Sequence, residues 1–247
     1  MNRYPISIQA FGEQAILIEW PEKVEEAILD DILQFSNHLK KKCLEPDQWE
    51  LLPAYNSLTL IGRHELPDFG KMKRDLKMWY SEATKTRMPA RYLWKLPVCY
   101  DTEFGIDLLE VSETLGKSVW EVIDLHTRHP YTVYGIGFLP GFMYLGGLPP
   151  ELEVPRKAQP RLKVPSGSVG LAGKQTGIYP QESPGGWNII GNCPIPIFDA
   201  GKEDPCFIKV GDQVQFYGIN HKEHELHTIQ AQVGIYAMEK VKLDAKR

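Results

Sequence analysis

No stretch of the 247 residues approaches the ~20 consecutive apolar positions of a membrane-spanning helix, so no membrane span is expected. The opening MNRYPISIQAF also lacks the apolar run of a secretion signal. Basic blocks are missing too. The formal net charge is −4, and Lys40-Lys41-Lys42 is an isolated triplet better suited to a helix C-terminus than to a phosphate backbone. Nucleic acid is therefore not an expected partner. The four cysteines, Cys43, Cys99, Cys193 and Cys206, never form C-x-x-C. That spacing excludes a zinc site of close-set thiolates and, with no signal, points to reduced thiols in a cytoplasmic protein. Nor is there an internal repeat of solenoid length. What remains is an ordinary globular composition, 43% hydrophobic and 24% charged, in a chain long enough for one large domain or two small ones.

The first ninety residues read as strand pairs alternating with helices. Ile6, Ile8 and Ala10 alternate with polar residues, Gly12 supplies a turn, and Ala15 to Glu19 follows, which predicts a hairpin. Pro21 suits the start of a helix carrying Val24, Ile28, Ile32, Phe35 and Leu39 as one apolar stripe, with glutamates early and lysines late. Trp49 to Ala54 and Leu58 to Gly62 predict two more strands around a Tyr55-Asn56-Ser57 turn. Phe69, Met72, Leu76, Trp79 and Tyr80 then mark a second helix. The order ββαββα predicts an α+β domain over residues 1–88, its sheet covered by helices on one face. The polar, aperiodic run 84–91 reads as a linker.

Residues 89–247 read differently. Tyr92 to Cys99 alternates as a strand, with Pro97 signalling an edge or bulge. Asp107 to Leu115 predicts a short helix closed by Gly116, and Ser118 with Glu121 forms a capping box that opens another, ending near His126. Tyr131 to Ile136 is a strand. Beyond it helical periodicity disappears, and short extended pieces (168–172, 188–190, 196–198, 213–217 and 229–236) alternate with glycine and proline turns. This pattern predicts a mainly-β barrel.

Glycine and proline are densest between Tyr134 and Asp199, with aromatics and two arginines set among them. Glycine permits close backbone approach and proline fixes φ, so the path of such a segment is set in detail, as a site requires. Arg156 and Arg161 each follow a proline and present planar donor forks suited to carboxylate or phosphate, although structural ion pairs would use them equally well. The run from Gly167 to Thr176 resembles a phosphate loop but fails it: five residues separate its outer glycines and Lys174 precedes Gln175. His126 is a candidate general base or a charged helix cap. His221, His224 and His227 are spaced H-x-x-H-x-x-H near an expected hairpin loop, and no metal site is assigned to them.

As a whole, the segments GFLPGFMYLGGLP (137–149), PRKAQPRLKVPSGSVG (155–170) and GKQTGIYPQESPGGW (173–187) resemble the KipI/PxpB family, which includes the B-type subunits of 5-oxoprolinase and the first subunit of allophanate hydrolase. One departure is Gly191-Asn-Cys-Pro194, where the family more usually has Gly-Arg-Thr-Pro. The resemblance implies a cyclophilin-like barrel for the second domain. It also implies work with C-type and A-type partner subunits to open the cyclic amide 5-oxo-L-proline to L-glutamate, with ATP bound at the level of the complex. Other branches imply inhibition of a histidine kinase, or an allophanate hydrolase or urea amidolyase system. On this reading His126, Arg156, Arg161 and Gln175 are the catalytic candidates, and Tyr144, Ser168, Thr176, Tyr179 and Ser183 the substrate-binding ones.

Overall fold

The computed structural model describes residues 4–64, 68–83 and 88–243, and the chain divides between Ala90 and Arg91 into two units. Residues 84–87 of the expected linker lie outside the described residues.

The first unit runs β1 (Ser7–Phe11), β2 (Ala15–Glu19), α1 (Glu26–Lys42), β3 (Trp49–Ala54), β4 (Ser57–Gly62) and α2 (Phe69–Glu82). Its antiparallel sheet has the order β1-β2-β4-β3. The register sets Ile8 opposite Ile18, Ile16 opposite Leu60 and Leu60 opposite Leu51, so alternate apolar residues share one face. These side chains pack with Ile28, Ile32, Phe35 and Leu39 of α1 and Leu76 and Tyr80 of α2. Each such burial contributes roughly 1.5–3 kcal/mol. The Trp20 indole N–H (2.7 Å) and the Tyr80 hydroxyl (2.5 Å) both donate to Asp31 Oδ2, tying both helices to the end of β2.

Pro21 does not start α1. Trp20 is still held at the sheet edge, its N–H donating to Asn56 C=O at 2.8 Å and its own carbonyl accepting from Asn56 Nδ2 at 3.2 Å. The helix begins only after the extended Glu25, and Val24 is left exposed outside the stripe.

The second unit contains β5 (Arg91–Cys99), α3 (Leu108–Leu115), α4 (Val119–Arg128), β6 (Tyr131–Ile136), β7 (Met143–Gly146), β8 (Arg161–Val164), β9 (Ser168–Ala172), β10 (Gln175–Ile178), β11 (Ser183–Gly185), β12 (Asn188–Asn192), β13 (Gln213–Ile219), α5 (His221–Gln232) and β14 (Lys240–Leu243). Seven strands follow one another as β12-β9-β10-β7-β6-β13-β5, and Asn192 pairs with Cys99 to bring β5 back to β12 and close the barrel. β13 and β5 pair in parallel, while β14 flanks β5 outside the ring with Leu243 opposite Arg91. Pro97 falls between the last β14 pair at Trp94 and the β12 pair at Cys99, a local edge where its missing N–H is tolerated.

Inside the barrel, Leu96, Val98, Val133, Leu145, Val169, Leu171, Val214 and Phe216 pack together. β9 is buried along its whole length because it has two packed faces: Val169 and Leu171 point to the barrel core, whereas Ala172 meets a second cluster of Phe142, Val164, Tyr179, Trp187 and Ile189. That cluster lies beneath the β8–β11 ribbon, where Val164 pairs with Ser183. A buried Asp212 fastens β5 to the turn before β13, accepting Tyr92 N–H (2.9 Å), the Trp94 indole (2.9 Å) and Lys209 N–H (3.1 Å).

Two expected strands are absent. Residues 196–198 are loop. Of the segment 229–236, residues 229–232 form the last turn of α5 and 233–236 are turn and loop; Asn220 caps that helix, its side chain accepting from Glu223 N–H while the Glu223 side chain accepts from Asn220 N–H, a capping box. His221, His224 and His227 therefore stand on a helix rather than a hairpin loop. His221 and His224 pack on Phe104, and His227 packs on Tyr236. Among the described residues no group could hold a metal ion, and no helix is long and apolar enough to cross a membrane.

Candidate active site

Four elements meet at the rim of the second unit. The start of α3 supplies Asp107, the loop after Val154 supplies Arg156 and Lys157, β8 supplies Arg161, and β12 supplies Asn188. Asp107 occupies the N-cap position of α3 but spends its carboxylate elsewhere. Oδ1 receives Arg161 Nη2 at 2.5 Å and Lys157 Nζ at 3.0 Å, and Oδ2 accepts Ile189 N–H at 2.7 Å. Lys157 also reaches Glu110 Oε2 at 2.5 Å. Only 2% of the Asp107 side chain is exposed. Burial alone would raise its pKa, but hydrogen bonds from Arg161, Ile189 and Lys157 outweigh it and hold the carboxyl below its usual range. Burial works against the Lys157 charge as well, and the bonds to Glu110 and Asp107 overcome it and raise that amine.

Arg161 and Lys157 are thus neutralised within the protein. Arg156 is exposed and makes no ion pair among the described residues. Together with Glu110, Thr114, Pro155, Lys157 and Asn188 it lines a cleft of about 170 Å³ between α3 and the proline loop. Both guanidinium charges act on the Tyr179 hydroxyl, which also bonds the Trp187 backbone and feels Tyr144. Burial keeps the Tyr179 pKa raised despite these cations, so the group stays a neutral donor. Arg156, Arg161, Tyr144 and Tyr179 are accordingly gathered in one neighbourhood. Arg161 Nη1 is buried there with no acceptor among the described residues.

The other candidates lie elsewhere. His126 is fully buried in α4 against the barrel, stacked on Phe216 at 4.7 Å. Its Nδ1 lies 2.7 Å from the Tyr100 hydroxyl and its Nε2 2.8 Å from Thr176 Oγ1, which itself donates to Gly170 C=O at 3.1 Å. That chain assigns one tautomer: Tyr100 donates to Nδ1, and Nε2–H donates to Thr176. Desolvation pushes the His126 pKa down to about 3. His126 is therefore neither an accessible base nor a charged cap, and Thr176 is its internal partner rather than a substrate ligand. Both expectations are corrected on burial.

Ser168 is buried in β9, and the Ser183 hydroxyl donates to its neighbour's carbonyl, Pro184 C=O, at 3.2 Å. Gln175 opens β10 opposite Ala172, across the Gly173-Lys174 turn. The phosphate-loop lookalike is thus a tight β-hairpin and opens no helix. Sequence reasoning missed Asp107, Glu110, Lys157 and Asn188. The one signal for them was electrostatic, since adjacent Arg156 and Lys157 in a rigid loop call for counter-charge.

The fold and this cleft define a closed β-barrel module with a small cationic pocket on its rim. The profile of the family described as carboxyltransferase domain, subdomain C and D, matches residues 6–208, and the chain belongs to that family. It is 36% identical over 231 residues to the 5-oxoprolinase B subunit of Bacillus subtilis, covering 89% of this chain and 95% of that one. The crystal structure of TTHA0988 superposes with a TM-score of 0.71 at 35% identity over 84% of this chain, and the chain spans 40% of that longer protein. The Kluyveromyces lactis urea amidolyase, at 17% identity and a TM-score of 0.79, shares the fold over 96% of this chain and 16% of its own length.

Proposed function

We propose that this chain is the B-type subunit of an ATP-dependent 5-oxoprolinase, which hydrolyses 5-oxo-L-proline to L-glutamate together with C-type and A-type subunits. The observation that carries the reading is the 36% identity to the Bacillus subtilis 5-oxoprolinase B subunit, extending over 95% of that relative.

The rim chemistry agrees with a small anionic lactam as ligand. Arg156 supplies an unneutralised guanidinium, and a planar fork of N–H groups fits a carboxylate. The cleft, at about 170 Å³, is smaller than the ~300–1,000 Å³ pockets of drug-sized ligands and suits a molecule of amino-acid size. A lactam carbonyl is a weak electrophile because of amide resonance, so coupling its hydrolysis to ATP is chemically reasonable. Within this chain the residues bind, orient and supply hydrogen-bond donors. Buried His126 offers no proton-transfer route, so activity in the assembled complex only is the expected behaviour.

The reading is tested by co-expressing this chain with C-type and A-type subunits and measuring glutamate from 5-oxoproline with and without ATP. Release that requires all three chains and ATP supports it. Glutamate formation unaffected by leaving this chain out would sink it.

A further inference from the structure

We infer that Arg156 and Asn188 together form the recognition edge of the cleft, taking the carboxylate and the adjacent ring N–H of a cyclic α-amido acid. The inference rests on the 5-oxoprolinase reading for the identity of the ligand, and on the geometry for the two residues.

Asn188 is buried in β12 and ties two segments together: its Nδ2 donates to Pro155 C=O at 2.8 Å and to Leu171 C=O at 3.2 Å. Two carbonyl partners fix which end of the side chain is the amine. Both amide hydrogens are consumed, which leaves Oδ1 as the open acceptor of a residue that lines the cleft. That oxygen has no donor among the described residues and is not sealed from solvent. Arg156 lines the same cleft with donors and makes no ion pair among the described residues, the Glu110 carboxylate there being held by Lys157. The cleft therefore offers a free acceptor held rigidly by two backbone ties, together with a free cation.

A neutral carboxamide ligand would leave the Arg156 charge unanswered, and a plain carboxylate would leave Asn188 Oδ1 without a donor. A lactam with a carboxylate on the carbon next to its ring nitrogen meets both. It presents anion and N–H side by side, and its carbonyl stays free on the far side of the nitrogen. Arg161 takes no direct part in this scheme. It is a positioning residue, held by Asp107, which through Ile189 N–H also fixes β12 beside Asn188.

The test compares three ligands by ligand-observed NMR titration of the full chain and by kinetics of the reconstituted complex. They are 5-oxoproline, 2-pyrrolidinone (no carboxylate) and N-methyl-5-oxoproline (no ring N–H). The wild type should prefer 5-oxoproline over each analogue by roughly 10- to 150-fold, the worth of one hydrogen bond to a charged group or one acceptor left dry. Arg156→Gln should erase the preference over 2-pyrrolidinone by raising the KM for 5-oxoproline, with kcat little changed and the weak binding of 2-pyrrolidinone intact. Asn188→Asp removes the ties to Pro155 and Leu171 and can fail to fold, so the N-methyl analogue on wild-type protein probes the acceptor instead.

The inference is overturned if Arg156→Gln keeps the wild-type preference, if the N-methyl compound binds as well as its parent, or if the chain binds none of the three at tens of millimolar. Glutamate release by the wild-type complex separates the two claims. With release but no Arg156 effect, the recognition edge alone falls. Without release, the 5-oxoprolinase reading falls, and the binding ratios still decide the edge.

Discussion

Two polar networks in the second unit use similar residues to opposite ends. The chain Tyr100–His126–Thr176–Gly170 is sealed in the barrel wall, uncharged, and its side-chain hydrogen-bonding groups are matched to one another. The cluster around Asp107 is charged and sits at the rim, and beside it stands Arg156, which makes no ion pair among the described residues. The interior network has no unused capacity, so it specifies packing. Among the described residues the rim network leaves one charge unpaired, that of Arg156, the residue to which the proposed ligand contact is assigned. An arginine or histidine in a conspicuous motif is thus informative only once its partners are known.

The largest expected effect comes from breaking the charged network. Asp107→Ala leaves Arg161 and Lys157 without their buried counter-charge and Ile189 N–H without an acceptor. We expect a loss of about 3 kcal/mol or more in urea unfolding, with Asp107→Asn milder because it keeps an oxygen for Ile189.

Breaking the neutral network should cost less, about 2 kcal/mol for His126→Leu, a substitution of similar volume that strands the buried Tyr100 hydroxyl. This variant also carries a pH signature. The folded pKa of His126 is about 3, below the 6.5 of the free group. Its neutral form is the native one, so its stability contribution is complete above pH 6.5. As pH falls from 6.5 towards 3 the unfolded chain binds a proton that the native protein does not, costing about 1.4 kcal/mol per pH unit. His126→Leu should flatten that part of the stability–pH curve, and a slope equal to wild type would refute the buried, neutral assignment.

Smaller still is the capping box of α4, where Ser118→Ala should cost about 1 kcal/mol by thermal denaturation. At the bottom of the series, Trp120 is 71% exposed, and Trp120→Ala should stay within about 0.5 kcal/mol of wild type, a baseline for the rest.

What the sequence could show follows from how local each interaction is. The Ser118 capping box, the Gly116 helix stop and the β3–β4 turn are written in neighbouring residues, and all appear in the structure. The Asn220–Glu223 box is equally local, whereas the pattern of short extended pieces predicts a strand over 229–236. The β8–β11 ribbon pairs Val164 with Ser183 across an intervening hairpin, and the Arg161–Asp107 bond spans 54 positions; neither leaves a local trace. His126 misleads for a related reason. Its chemistry as a free side chain suggests a base, and only the surrounding Tyr100, Thr176 and Phe216, brought from three strand regions, turn it into core.

The pairing of Leu243 with Arg91 carries a consequence for architecture. The first and last described strands of this unit, β5 and β14, lie side by side, so Arg91 and Leu243 are neighbours. A module with adjoining ends can be spliced into a larger polypeptide without rethreading its interior. In the Kluyveromyces lactis urea amidolyase the fold of this chain, both units together, takes up 16% of a longer polypeptide.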